Sequence, residues 1–166
     1  MINFDELEPI YLSLLNDERI KKMKDIPMHN GSNCYIHSFK VAKRSLKKAD
    51  RCKKELNGKA LLYACILHDY YLYDWRKDRS KKKHHGSKHP LIAAEQAQRD
   101  FGIDEFTASI IKSHMYPLNH KYKPASKEAK ILLWSDNVIA TKEFMTSKRR
   151  KKRKENQYLE YISKIR

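Results

Sequence analysis

The stretch Lys59-Ala60-Leu61-Leu62-Tyr63-Ala64-Cys65-Ile66-Leu67-His68-Asp69-Tyr70-Tyr71 is apolar on most sides of a helix until it reaches two ionisable residues. A helix that is apolar nearly all round belongs in the middle of a core, with other helices packed about it. The spacing therefore predicts a central helix over about residues 59–71, opened by the break at Asn57-Gly58. Outward from it, strand-like alternation is nearly absent. Glycine (31, 58, 86, 102) and proline (9, 27, 90, 117, 124) punctuate long runs of helical period. The expected fold is all-α, a helical bundle.

The flanking elements follow the same logic. A first helix is expected over about residues 5–23, with Leu7, Ile10, Tyr11, Leu14, Leu15 and Ile20 as its apolar stripe and Pro9 in or near its first turn. A loop over 26–33 leads to a second helix over about 34–56, with Ile36, Val41, Leu46 and Cys52 inward. Residues 74–88 read as a charged loop. Pro90 then opens a helix that Gly102 closes after Phe101, and Asp104 caps another running through Ile110 and Ile111 to His114. A loop bracketed by Pro117 and Pro124 precedes a helix over about 127–144, with Ile131, Leu132, Leu133, Val138 and Ile139 apolar. Tyr158, Leu159, Tyr161, Ile162 and Ile165 suggest a short amphipathic C-terminal helix. The expected organisation is one helical domain over 1–145 and a basic tail with that short helix over 146–166.

The 166 residues are 40% hydrophobic and 34% charged, the balance of a globular chain rather than a disordered one. No apolar run approaches the roughly 20 residues that span a bilayer. Met1-Ile2-Asn3-Phe4-Asp5-Glu6 lacks the basic and apolar regions of a secretory leader. Cys34, Cys52 and Cys65 are odd in number and form no CxxC pair, which fits reduced thiols, and Cys65 reads as plain core. A cytoplasmic protein is expected, with no membrane partner. The net charge of +16 favours anionic partners. Lys148-Arg149-Arg150-Lys151-Lys152-Arg153-Lys154 supplies seven of those charges, so the excess is spread as well as clustered.

Chemistry concentrates at a few acids and imidazoles. His68-Asp69 ends an apolar run, and a charge buried there needs a metal, a salt bridge or hydrogen bonds. Asp136 raises the same question among Leu132, Leu133, Trp134, Val138 and Ile139, and His37 can bring a third helix to the same pocket. Neutral imidazole nitrogen with carboxylate oxygen suits Mn, Fe, Zn or Co better than Mg alone.

The ordered set His37, His68-Asp69, Asp136 resembles the H…HD…D signature of the HD superfamily of metal-dependent phosphohydrolases. The surrounding words agree. Tyr35-Ile36-His37-Ser38-Phe39-Lys40-Val41-Ala42 resembles the first helix entry, and Ala64-Cys65-Ile66-Leu67-His68-Asp69 the core helix. His85-Gly86-Ser87-Lys88-His89-Pro90 resembles the HG..HP element, Ile110-Ile111-Lys112-Ser113-His114 the I..H element, and Leu132-Leu133-Trp134-Ser135-Asp136 the closing aspartate helix. The likeness covers about residues 29–144, and it is to a group of stand-alone bacterial HD proteins. The glycines of the GYP element of cyclic-dinucleotide phosphodiesterases are missing after Ser113-His114, so cyclic-di-GMP is not the expected substrate.

Carried over, the resemblance implies a first metal held by His37, His68, Asp69 and Asp136, with Asp69 shared with a second metal that His89 and His114 also hold. It makes Asp69 and His68 the catalytic centre and His85 an additional ligand or phosphate contact. It implies one or two divalent ions (Fe, Mn, Zn, Ni or Co, with Mg as an option) and a small phosphorylated, nucleotide-like substrate. His29, His84 and His120 match nothing and read as surface. Tyr70, Tyr71, Tyr73 and Trp75 are expected to pack the loop after the HD pair, with stacking of one of them on a nucleobase as the alternative, beside a rim of Arg76, Arg79 and Lys81 to Lys83 that attracts anions. The competing expectation is a binding module for nucleotide or nucleic acid without catalysis, using the basic run at 148–154.

Overall fold

A computed structural model describes residues 2–28, 32–74, 76–77, 85–145 and 155–165. Among these residues there are eight α-helices, one 3-10 turn and no strand. The helices are α1 (Phe4–Asn16), α2 (Glu18–Lys21), α3 (Cys34–Asp50), α4 (Gly58–Leu67), α5 (His85–Phe101), α6 (Glu105–Lys112), α7 (Lys127–Met145) and α8 (Glu155–Ile162). The 3-10 turn, Lys22–Asp25, follows α2 directly.

The expected central helix is α4. Leu61, Leu62, Ala64, Cys65, Ile66 and Leu67 are all fully buried, which leaves α4 almost no solvent face. Each buried Leu or Ile contributes roughly 1.5–3 kcal/mol of transfer free energy. Asn57 caps the helix, its side chain accepting from the Ala60 amide at 2.9 Å, while its own amide donates to Glu128 of α7 at 2.9 Å. The helix stops at Leu67, earlier than the expected 71. His68 and Asp69 form a turn, and Tyr70 and Tyr71 leave the helix to fill the core from another direction.

The long helix α3 packs on both α4 and α7, and α6 closes the bundle over α4 and α5. Asn33 caps α3 by accepting from the Ile36 amide at 2.9 Å. The helix ends at Asp50 rather than 56, because Arg51-Cys52-Lys53-Lys54-Glu55 offers too little apolar surface to hold further turns. The expected first helix is broken at Asp17, whose extended backbone (φ −66°, ψ 127°) restarts the chain and whose side chain caps α2. Pro9 lies in the second turn of α1, not the first.

Two other expectations shift. Helix α5 begins at His85, so Pro90 lies inside it and does not open it. Gly86, in its first turn, lets Leu118 approach: a Cβ there would sit 2.7 Å from Leu118 Cδ2. Gly102 closes the helix as expected, at φ +62°. Asp104 caps α6, accepting from the Thr107 amide at 2.7 Å, but α6 ends at Lys112 and leaves His114 in the following turn.

The C-terminal helix α8 forms as expected and packs on α3. Ile162 and Ile165 are buried, and the Tyr11 hydroxyl donates to the Ile162 carbonyl at 2.6 Å. The basic run 148–154 lies outside the described residues. No helix among the described residues is long and apolar enough to cross a membrane.

Candidate metal centre

Helix ends build the site. The C-terminus of α4 delivers His68 and Asp69, the turn after α6 delivers His114, the first turns of α3 and α5 deliver His37 and His89, and the middle of α7 delivers Asp136. All six side chains are buried or nearly so; Asp136, the most open, has a side chain 13% exposed.

Backbone carbonyls orient three of the four imidazoles. His68 Nδ1 donates to the Cys65 carbonyl at 2.8 Å, His114 Nδ1 to the Ile111 carbonyl at 2.8 Å and His89 Nδ1 to the His85 carbonyl at 2.9 Å. A carbonyl only accepts, so the proton of each neutral ring sits on Nδ1 and each Nε2 presents a lone pair inward. Those lone pairs meet at the acids. His68 Nε2 lies 3.4 Å from Asp69 Oδ2 and 3.7 Å from Asp136 Oδ1. His89 Nε2 and His114 Nε2 lie 3.3 and 3.9 Å from Asp69 Oδ1, and 2.9 Å from each other. Asp69 thus turns one oxygen to His68 and the other to His89 and His114.

His37 is held differently. Its Nε2 is 2.9 Å from Asp136 Oδ1 and its Nδ1 is 2.9 Å from Glu143 Oε2. Glu143 also accepts from Lys40 at 2.8 Å and from the Ser32 hydroxyl at 3.1 Å. The sequence reading passed over Glu143 and Lys40. The available signal was spacing: Glu143 follows Asp136 by seven residues and Lys40 follows His37 by three, which puts each pair on one helix face.

Burial opposes charge throughout the site, but opposite partners decide the outcome. Hydrogen bonds to Asp136 and Glu143 overcome the desolvation of His37 and raise it to about 10. Glu143 is buried too, yet His37 and Lys40 hold its carboxyl down to about 2. Asp69 and Asp136 stay well below the usual carboxylate range against desolvation because of the imidazoles around them. His114 is lowered to about 3 by desolvation and by His89 and His68. His85, at the edge, is lowered to about 4 by desolvation and His89.

These shifts give the metal-free protein a pH optimum. His37 is raised, so its contribution to stability is present below its ordinary 6.5 and is lost as pH rises through about 10. Glu143 is depressed, so its contribution is present above 4.5 and is lost as pH falls through about 2. His114 and His85 remain neutral while their unfolded counterparts charge, which removes stability as pH falls from 6.5 toward about 3 and 4. The thermal midpoint of metal-free protein is therefore expected to peak near pH 6.5 and fall on both sides. Scanning calorimetry from about pH 4 to about pH 9 checks it, and a midpoint still rising at the alkaline end contradicts it.

The residues present fit a metal ion. His68 Nε2 is buried with no hydrogen-bond partner. Nε2 of His89 and of His114, both bare in the neutral rings, face each other at a distance that only a proton or a cation between or beside them makes favourable. Among the described residues, three overlapping ligand groups emerge: His37, His68 and Asp69; His68, His114 and Asp136; Asp69, His89 and His114, the ligand atoms within each lying within 4.8 Å of one another.

The other expected residues lie around this centre. The His85 ring stacks on His89 at 4.6 Å and is 3.2 Å from the Tyr73 hydroxyl, outside the three ligand groups. Tyr70 and Tyr71 are buried as packing residues: Tyr70 donates to Asp100 at 3.0 Å, and the Tyr71 ring meets the edges of His85 and His89. Arg76 donates to the Pro27 and Met28 carbonyls. Cys65 is core, as expected, its thiol pushed up to about 12 by burial. His120 is exposed. His29, Trp75, Arg79, Lys81, Lys82, Lys83 and His84 lie outside the described residues.

The HD domain model matches residues 34–141, and the chain belongs to the HD domain family. Members of this family are generally metal-dependent phosphohydrolases. No curated protein and no solved structure matches the chain.

His37 has a carboxylate on each of its ring nitrogens, Asp136 on Nε2 and Glu143 on Nδ1. Glu143→Gln removes the carboxylate that accepts from His37 Nδ1 and Lys40 while keeping the shape. Metal affinity is expected to fall roughly 10- to 100-fold, as for other partners that orient a ligating imidazole. Competition with a fluorescent chelator measures it, and unchanged affinity would separate Glu143 from the site.

Proposed function

We propose that the chain hydrolyses a phosphate ester, with His37, His68, Asp69 and Asp136 holding one divalent ion and Asp69, His89 and His114 a second. The observation that carries this reading is the inward convergence of bare His68, His89 and His114 Nε2 atoms on the two acids in a buried pocket. Fe, Mn, Zn, Ni or Co suits that donor set, with Mg the weakest match. When bound, such ions supply Lewis acidity toward a phosphoryl oxygen and make water a competent nucleophile near neutral pH.

The chain's own residues do the rest. The Cys65, Ile111 and His85 carbonyls hold three imidazoles in one tautomer, so no reorientation accompanies ligation. Asp69, with an oxygen toward each side of the cluster, would be the carboxylate shared by two ions. Burial keeps bulk water from screening the charges, which strengthens their action on a phosphoryl group. The net charge of +16 draws anions to the surface, in keeping with a nucleotide-like substrate.

Elemental mass spectrometry on untagged protein, with a screen of mono- and diester phosphates, tests the proposal. Wild-type protein should carry one or two equivalents of transition metal, and chelation should abolish turnover that added metal restores. His114→Ala should lose one equivalent if two ions bind. Protein that takes up no metal on reconstitution would overturn the reading and favour a ligand-binding module.

A further inference from the structure

A second cluster of cations lies on the surface, made of residues the His/Asp centre does not use. Arg44, Lys47 and Lys48 on the last turns of α3 and Arg51 just past its end line, with Trp134 of α7, a depression of about 440 Å³. The Arg44 guanidinium and the Lys48 ammonium lie 4.3 and 4.1 Å from the indole centroid. None of the four cations has an acidic partner among the described residues, and Arg44 Nε is buried without an acceptor. Trp134 also lines a second, mainly apolar depression of about 550 Å³, together with Leu133, Val138, Lys130 and Lys142. The indole, which the spacing of α7 had grouped with the apolar neighbours of Asp136, is instead 43% exposed. It divides a basic hollow from an apolar one.

We propose that this face binds an unpaired nucleic-acid strand. Arg44, Lys47, Lys48 and Arg51 take its phosphates, and a base stacks beside Trp134 over Leu133 and Val138. The combination is what such a ligand needs: a cationic track for the backbone and, beside it, an apolar hollow edged by the indole for a base, with little dependence on which base it is. A duplex keeps its bases stacked inside and has no use for the indole. An anionic membrane favours aromatic residues that project, whereas Trp134 is clasped by two cations and borders concave surfaces.

Fluorescence anisotropy with a labelled oligouridylate of about 20 nucleotides tests this on the full chain. It is run in the natural sequence and in a background with the seven cations of 148–154 changed to alanine, so that the basic run does not mask the site. In that background Trp134→Ala should weaken binding roughly tenfold with an unchanged salt slope, and Trp134→Phe should recover most of it. The Lys47→Ala/Arg51→Ala double variant should flatten the plot of log K against log salt by about 1.4, the share of two phosphate contacts on a single strand. Metal content should stay at the wild-type level in Trp134→Ala, which separates this outcome from failure of the hydrolase reading, and circular dichroism confirms folding. Equal binding by Trp134→Ala and its parent, an equal loss on a duplex, or displacement of the strand by anionic lipid vesicles would each overturn the proposal.

Discussion

Asp69→Ala is expected to lose metal and phosphoester hydrolysis together, with turnover down at least about a thousandfold, the scale of losing several kcal/mol of charge stabilisation. The reason is its place in the cluster. Its Oδ2 faces His68 and its Oδ1 faces His89 and His114, and among the described residues no other acid pairs with histidines on both sides of the site. Its charge also compensates three buried imidazoles, and the alanine variant leaves them to one another. Asp69→Asn keeps the volume and removes the charge, which separates packing from ligation. Elemental analysis and single-turnover assays on folded Asn and Ala variants check the expectation. Metal-loaded, fully active Asp69→Asn would remove Asp69 from the centre.

Phe39→Ala should produce the largest loss of stability, about 3–5 kcal/mol. Phe39 is fully buried two residues past His37, and its ring meets Tyr11 edge-on at 5.3 Å and Tyr35 at 4.9 Å. The Tyr11 contact fastens α1 to α3, and Tyr11 continues to the Ile162 carbonyl of α8. The truncation leaves a cavity where three helices meet. Domains of this kind hold only about 5–15 kcal/mol in total, so the urea midpoint should fall by about a fifth or more with an unchanged slope. A shift below about 1 kcal/mol would mean that the α1–α3 junction collapses around the gap.

Much of the fold was legible because helical period and apolar content act locally. The all-round apolar character of residues 60–67 marked the centre, Asp104 and Gly102 marked helix ends, and the isoleucines at 162 and 165 marked a C-terminal face. Boundaries were less legible. Asp17 breaks a stripe that continues through Ile20, and His85 starts a helix five residues before the proline that seemed to open it. In both places tertiary contacts, Ile20 in the core and Leu118 against Gly86, outweigh the local signal.

The site divides the same way. The sequence by itself determined which residue types stand at helix ends in the order His37, His68-Asp69, His89 and His114, with Asp136 inside a later helix, since spacing along the chain records helices and their breaks. Only the tertiary structure decided that Glu143 and Lys40 hold His37, that backbone carbonyls choose the tautomer of the other imidazoles, and that Trp134 faces outward between two hollows. Partners across helices and the lone-pair directions they impose depend on how α3, α4 and α7 rotate against one another. That rotation is set by side-chain packing between helices, and no periodicity within one helix encodes it.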